Sequence, residues 1–112
     1  MLLKSDRDRL ERIREYILKN LDKTLNIKTL STIFGVSAPT LRRQFHKYFH
    51  VPIYTYICQQ RMEYAKELIL AYTHTVYEIS ELVGYSESSN FSHAFTRYFG
   101  ASPSRFIENN QK

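Results

Sequence analysis

Two stretches of this 112-residue chain carry polar side chains of one chemical kind. In the first, Pro39, Thr40, Arg42, Arg43, His46, Lys47 and His50 are interleaved with apolar residues. In the second, Ser88, Ser89, Asn90, Ser92, His93, Thr96 and Arg97 follow the same pattern. Hydroxyl, amide, imidazole and guanidinium groups make the hydrogen bonds that read base edges and grip phosphate oxygens. Neither stretch holds an Asp or Glu, apart from Glu87 at the start of the second. A solvated surface normally mixes both signs, so two acid-free faces point to a polyanionic partner.

Other chemistry finds little support. His46 and His50 stand at i, i+4 and could clamp a metal, but no Glu lies between them and no third ligand is apparent. Cys58 is the single cysteine, without a His or Lys neighbour to activate it, and it excludes an internal disulfide. No Gly-rich phosphate loop and no carboxylate pair suggests catalysis. The reading is therefore no enzyme, no metal and no cofactor. The nine Tyr and seven Phe follow helical core spacing and read as core rather than as a ligand pocket.

Something must hold those faces outward. Apolar residues make up 43% of the chain, enough for one compact domain or two small ones sharing a helix. The net charge of +5 is unevenly placed. Residues 23–62 hold six Lys or Arg and no acid, whereas residues 63–112 hold four basic and six acidic groups. No apolar run approaches a membrane span and no signal-peptide stretch opens the chain, which reads as cytoplasmic.

Helical spacing recurs throughout. Leu10, Ile13, Ile17 and Leu21 predict a first helix over about 7–20, with Asp6 as N-cap. Asn26 caps a short second helix ended by Gly35, and Ser37 caps a third with Pro39 in its first turn. Pro52 opens a long fourth helix to about Ala71, buried through Ile57, Ala65, Leu68 and Ile69. Thr75 and Glu78 form a capping box for a fifth helix ended by Gly84. A sixth starts near Ser86–Ser88, and Ser102-Pro103 opens a last turn before a frayed tail, Glu108–Lys112.

The chain also resembles itself. LSTIFGVS (30–37) matches ISELVGYS (79–86), and FHKYFHVPIYTYI (45–57) matches FTRYFGASPSRFI (95–107). The offsets, 49 and 50, place one extra residue at the turn or helix start of the second copy. Each copy reads as short helix, glycine turn, longer helix, with a small Ser31 or Ser80 where the two helices approach. That is the layout of a helix-turn-helix unit, whose second helix enters the major groove. At about 100° per residue, Leu41, Phe45, Tyr48 and Phe49 cluster opposite the first polar face. Phe91, Phe95, Tyr98 and Phe99 cluster opposite the second.

From about residue 10 to 107 the chain resembles the DNA-binding domain of the AraC/XylS family of bacterial transcription regulators. Arg61, Ala65 and Leu70 match its linker-helix pattern, and GYSESSNFSHAFTRYFGASPSRF its C-terminal signature. Two departures stand out. The first copy reads His50-Val51-Pro52-Ile53 where the family often has Gly-x-Ser-Pro, and the closing aromatic is followed by Ile107 rather than a basic residue.

The resemblance implies an all-α fold of about seven helices: a first helix-turn-helix subdomain at 7–52, a linker helix at 53–71 and a second subdomain at 72–108, within one domain over 1–112. Two recognition helices would enter successive major grooves about one helical turn, ~34 Å, apart. The DNA contacts implied are Thr40, Arg42, Arg43 and Lys47, with Pro39 at a family contact position, and Ser88, Ser89, Asn90, Ser92, His93 and Arg97. Double-stranded DNA is the expected partner, bound by a monomer, and RNA polymerase is a candidate second one. A helical protein-interaction module and a sequence-blind architectural DNA binder are the alternatives. Members usually carry a separate sensor domain, for which 112 residues leave no room; the chain is a small regulator or a piece of a longer one.

Overall fold

The computed structural model describes residues 2–110. Among them seven helices follow one another and no strand forms. They are α1 (Lys4–Lys19), α2 (Ile27–Phe34), α3 (Ala38–Phe49), α4 (Ile53–Ala71), α5 (Val76–Leu82), α6 (Ser88–Phe99) and α7 (Pro103–Asn109). The all-helical expectation holds. The chain forms two compact units, one ending at Gln59 and the other beginning at Gln60, so α4 runs through the boundary.

In the first unit α1 packs on α2 and α3, and α2 on α3. Leu10, Ile13 and Ile17 from α1, Leu30 from α2, and Leu41 and Phe45 from α3 are fully buried. Ile53 and Ile57 of α4 are also buried. Phe45 stacks obliquely on Phe49 with ring centroids 4.5 Å apart and touches Tyr56 at 5.6 Å. The Arg14 guanidinium sits 5.4 Å above the Phe49 ring, a cation–π contact, and is ion-paired with Glu11 at 2.6 Å.

The second unit repeats the scheme with α5 on α6 and α6 on α7. Ile79, Val83, Phe91 and Phe95 are fully buried. Phe95 is ringed by Phe91 at 5.7 Å, Phe99 at 4.6 Å and Phe106 at 5.5 Å. Burying each such phenyl group contributes about 2–3 kcal/mol. Arg61 lies over the Tyr85 ring at 6.0 Å.

The caps explain why the helices start where they do. Asn26 Oδ1 accepts the Thr29 N–H at 2.8 Å, and Ser37 and Ser102 accept from Thr40 and Arg105. Thr75 and Glu78 form the expected reciprocal box: Thr75 Oγ1 accepts the Glu78 N–H at 3.1 Å, and the Glu78 carboxylate accepts the Thr75 N–H at 2.8 Å. Each bond satisfies a donor that a helix start otherwise leaves unpaired.

Four local expectations are corrected. Helix α1 starts at Lys4, not near residue 7, with Leu3 at the N-cap. Asp6 lies inside the helix and reaches back to accept the Leu3 N–H at 3.1 Å; a carboxylate in the first turn satisfies an orphan donor as well as an N-cap does. On α4 it is Met62 that is buried, while Leu68 is only half-buried. Helix α5 ends at Leu82 with Val83 as its cap, two residues before Gly84. The expected frayed tail is helical through Glu108 and Asn109, and the Tyr72 hydroxyl donates to the Asn110 carbonyl at 2.9 Å. Gln111 and Lys112, the rest of that tail, lie outside the described residues.

The two copies also end their second helices differently. Gly100 closes α6 at φ 80°, and His50 closes α3 at φ 62°. A Cβ added at Gly100 would meet nothing within 4 Å, so the left-handed backbone alone favours glycine there. Gly100→Ala should therefore cost about 1 kcal/mol and His50→Gly should gain a similar amount. Chemical denaturation of both variants checks the opposite signs.

The Glu78 carboxyl is held below its ordinary value, first by the hydrogen bond from the Thr75 backbone. A lowered folded-state value means stability that is present above the unfolded carboxylate range and is lost as pH falls through the folded one. Glu78→Gln keeps the capping hydrogen bond but not the titration. Its melting temperature should lie below wild type at neutral pH, with the gap closing on acidification as Glu78 loses its charge, as read by thermal unfolding across a pH series.

Candidate nucleic-acid interface

The inner side of α3 is anchored by Leu41 and Phe45, so its other side is free. Arg42, Arg43, His46, Lys47 and His50 are all exposed, as is Pro39. Arg43, His46, Lys47 and His50 line one open groove of about 650 Å³. Arg42 lies on the flank, where with His46 it borders a more enclosed apolar hollow of about 450 Å³ containing Leu25, Leu30, Ile53 and Ile57. Thr40 is half-buried and partly committed to the helix start: its Oγ1 accepts from the Ser37 hydroxyl at 2.9 Å.

Helix α6 is anchored by Phe91 and Phe95. Ser89, Asn90, His93 and Arg97 are exposed, while Ser88 and Ser92 are half-buried. The Thr96 hydroxyl turns back to the Ser92 carbonyl at 2.8 Å. Tyr98, expected in the core cluster, is 42% exposed and its hydroxyl reaches Glu63; a phenol keeps its polar end wet when its ring lies at a rim.

Neither helix contains an acidic residue. The cationic content differs: α3 carries Arg42, Arg43 and Lys47, whereas α6 carries Arg97. The extra residue of the second copy falls between Gly84 and Ser88. It puts Glu87 rather than a serine at the N-cap of α6, with no side-chain cap bond there.

The serines at the helix approaches do more than stay small. Ser31 donates its hydroxyl to the Val36 carbonyl across the first turn. Ser80, buried to 1% exposure, donates to the Tyr77 carbonyl at 2.7 Å. Both hydroxyls are satisfied within their units, as burial requires.

Two residues escaped sequence reasoning. Arg9 of α1 donates from Nη2 to the Gln44 amide oxygen on α3 at 3.1 Å and to Asp6 at 3.3 Å. The partners Arg9 and Gln44 are 35 positions apart, beyond the reach of any local periodicity. Among the described residues no group of three His, Cys, Asp or Glu could hold a metal, and no helix is long and apolar enough to cross a membrane.

Comparison with known proteins bears on this geometry. A family model described as "Helix-turn-helix domain" matches residues 30–109. The Msm operon regulatory protein of Streptococcus mutans is 34% identical over 101 residues, 88% of this chain and 36% of that protein. The transcriptional activator AggR of Escherichia coli is 28% identical over 97 residues, 87% of this chain and 36% of that protein. The C-terminal domain of AraT, a response regulator from Geobacillus stearothermophilus, superposes with a TM-score of 0.88 at 28% identity, covering 93% of this chain and 87% of that one. The chain spans 28–38% of the length of such curated relatives. With the match over both helix-turn-helix copies and the fold agreeing, the chain belongs to the AraC-type helix-turn-helix family of DNA-binding transcription regulators.

Proposed function

We propose that this chain binds double-stranded DNA sequence-specifically and serves transcription activation, with α3 and α6 as its two recognition helices. The observation that carries the reading is the pair of exposed, polar faces without a single acid on helices whose opposite sides are locked in a core. Such a face gains little in water alone and much against phosphate. Activation is supported by the likeness to the transcriptional activator AggR.

The residues divide by role. Arg43 stands at the centre of the α3 face and reads a base, because a guanidinium forks onto guanine better than any other side chain. Arg42, Lys47 and Arg97 neutralise phosphates, and Thr40 contributes from the start of α3. Ser88, Ser89, Asn90, Ser92 and His93 offer the second groove neutral donors and acceptors, directly or through water. With one such helix in each unit, a monomer covers an asymmetric site in the cytoplasm. The activator's protein partner is RNA polymerase.

The unequal cations make the first unit the main source of salt-dependent affinity. Selection of duplexes from a random pool at defined salt should enrich one site, and failure to enrich any would sink the sequence-specific reading. On that site Arg43→Ala should lose roughly 1–3 kcal/mol and relax one base position. Equal loss on random DNA would make Arg43 a phosphate contact only. Lys47→Ala should lower the slope of log affinity against log salt by about one without altering preference, as measured by titrations at several salt concentrations.

A further inference from the structure

We infer that Gln44, oriented by Arg9, forms a phosphate clamp with Lys47 on one flank of α3, beside the base-reading Arg43, a contact that rests on the DNA-binding reading above. The inference starts from helix geometry. At about 100° per residue, Arg42 and Gln44 lie equally far to either side of Arg43. If Arg43 points to the floor of a major groove, its two flanks face the two sugar-phosphate walls. Arg42 meets one wall with a charge. Gln44 meets the other, beside Lys47, which follows it by three residues on the same side.

A lone glutamine at such a place would turn freely and bind weakly. Gln44 is not alone. Its amide oxygen accepts from Arg9 Nη2 at 3.1 Å, and Arg9 is itself tied to Asp6 at 3.3 Å. Asp6 in turn accepts the Leu3 N–H at 3.1 Å at the start of α1. Arginine offers donors only, so the amide oxygen must face it. The N–H2 end, with two donors and no acceptor, is then the end turned away.

Gln44 also lines a recess of about 160 Å³ together with Leu2, Arg43 and Lys47. Lys47 and the Gln44 amide at a recess with no acid among its lining residues suit a phosphodiester oxygen. The Arg9 Nε is buried without a hydrogen-bond partner. A buried donor left unpaired destabilises the fold, so Arg9 is not placed there for its own satisfaction. What its position secures is the fork that reaches both Asp6 and Gln44. Arg9 is thus a positioning residue and Gln44 the contact.

The test uses the whole chain on its selected duplex. Gln44→Ala should bind about tenfold more weakly, with equal loss on preferred and scrambled duplexes. Its salt slope should be unchanged, because a neutral amide displaces no counterion. Replacing phosphates one at a time by methylphosphonate should reveal one position at which Gln44→Ala costs nothing further. Arg9→Met should lose less than Gln44→Ala, and the double variant should bind like Gln44→Ala alone.

Circular dichroism and melting temperature confirm that each variant is folded. Wild-type affinity in folded Gln44→Ala, loss confined to the preferred sequence, or loss undiminished at every methylphosphonate position each overturns the clamp while leaving the DNA-binding reading standing. A wild-type chain that binds no duplex overturns both.

Discussion

Everything the exposed faces do depends on two phenylalanines. Phe45 and Phe95 are fully buried, each held by several aromatic neighbours, and each sits on the inner side of a helix whose outer side is polar. A helix with no acid and little propensity to stand alone is positioned by its packing, not by its own turns. The aromatic anchor fixes rotation about the helix axis. A slip of one residue would turn the face by about 100° and bring Arg42 or Gln44 to where Arg43 now stands. Rotational precision is what separates reading bases from clinging to phosphates.

The two units solve this packing problem alike and use it unlike. On α3 the charges are cationic, while Arg14 stacked on Phe49 is paired with Glu11 at 2.6 Å. Around α6 the sole helical cation is Arg97, and Tyr98 on the same helix is bonded to Glu63. Attraction to a charged duplex reaches over about a Debye length, so under the proposed reading the first unit has the larger part in encounter. Under the same reading the second unit acts at contact range, through hydroxyl and amide geometry.

Much of this was legible in the sequence because it is local. Asn26, Ser37, Thr75 and Ser102 are caps whose partners lie three residues away, and the apolar spacing of α3 and α6 named their buried sides in advance. The misreadings have physical causes. Asp6 looked like an N-cap because a carboxylate serves equally from inside the first turn. Helix α4 ends without a glycine because Tyr72 adopts the left-handed backbone at φ 56°, and its hydroxyl then ties down the end of α7. Tyr98 fitted the apolar period, yet a phenol at a rim stays wet. The Arg9–Gln44 bond joins residues far apart in sequence, and only the packing of α1 on α3 brings them together.

One departure between the repeats has a wider meaning. Where α6 stops on Gly100, α3 stops on His50 in the same left-handed turn. Glycine ends a helix silently, with nothing to offer solvent or ligand. Histidine is among the few side chains that tolerate this backbone at modest strain, and here its ring lines the groove of Arg43, His46 and Lys47. In the proposed reading, the punctuation of the first recognition helix is also part of its vocabulary. Restoring glycine would relax the turn and remove an imidazole from the groove proposed to meet DNA, so under that reading this position sets foldability and recognition against each other in a single residue.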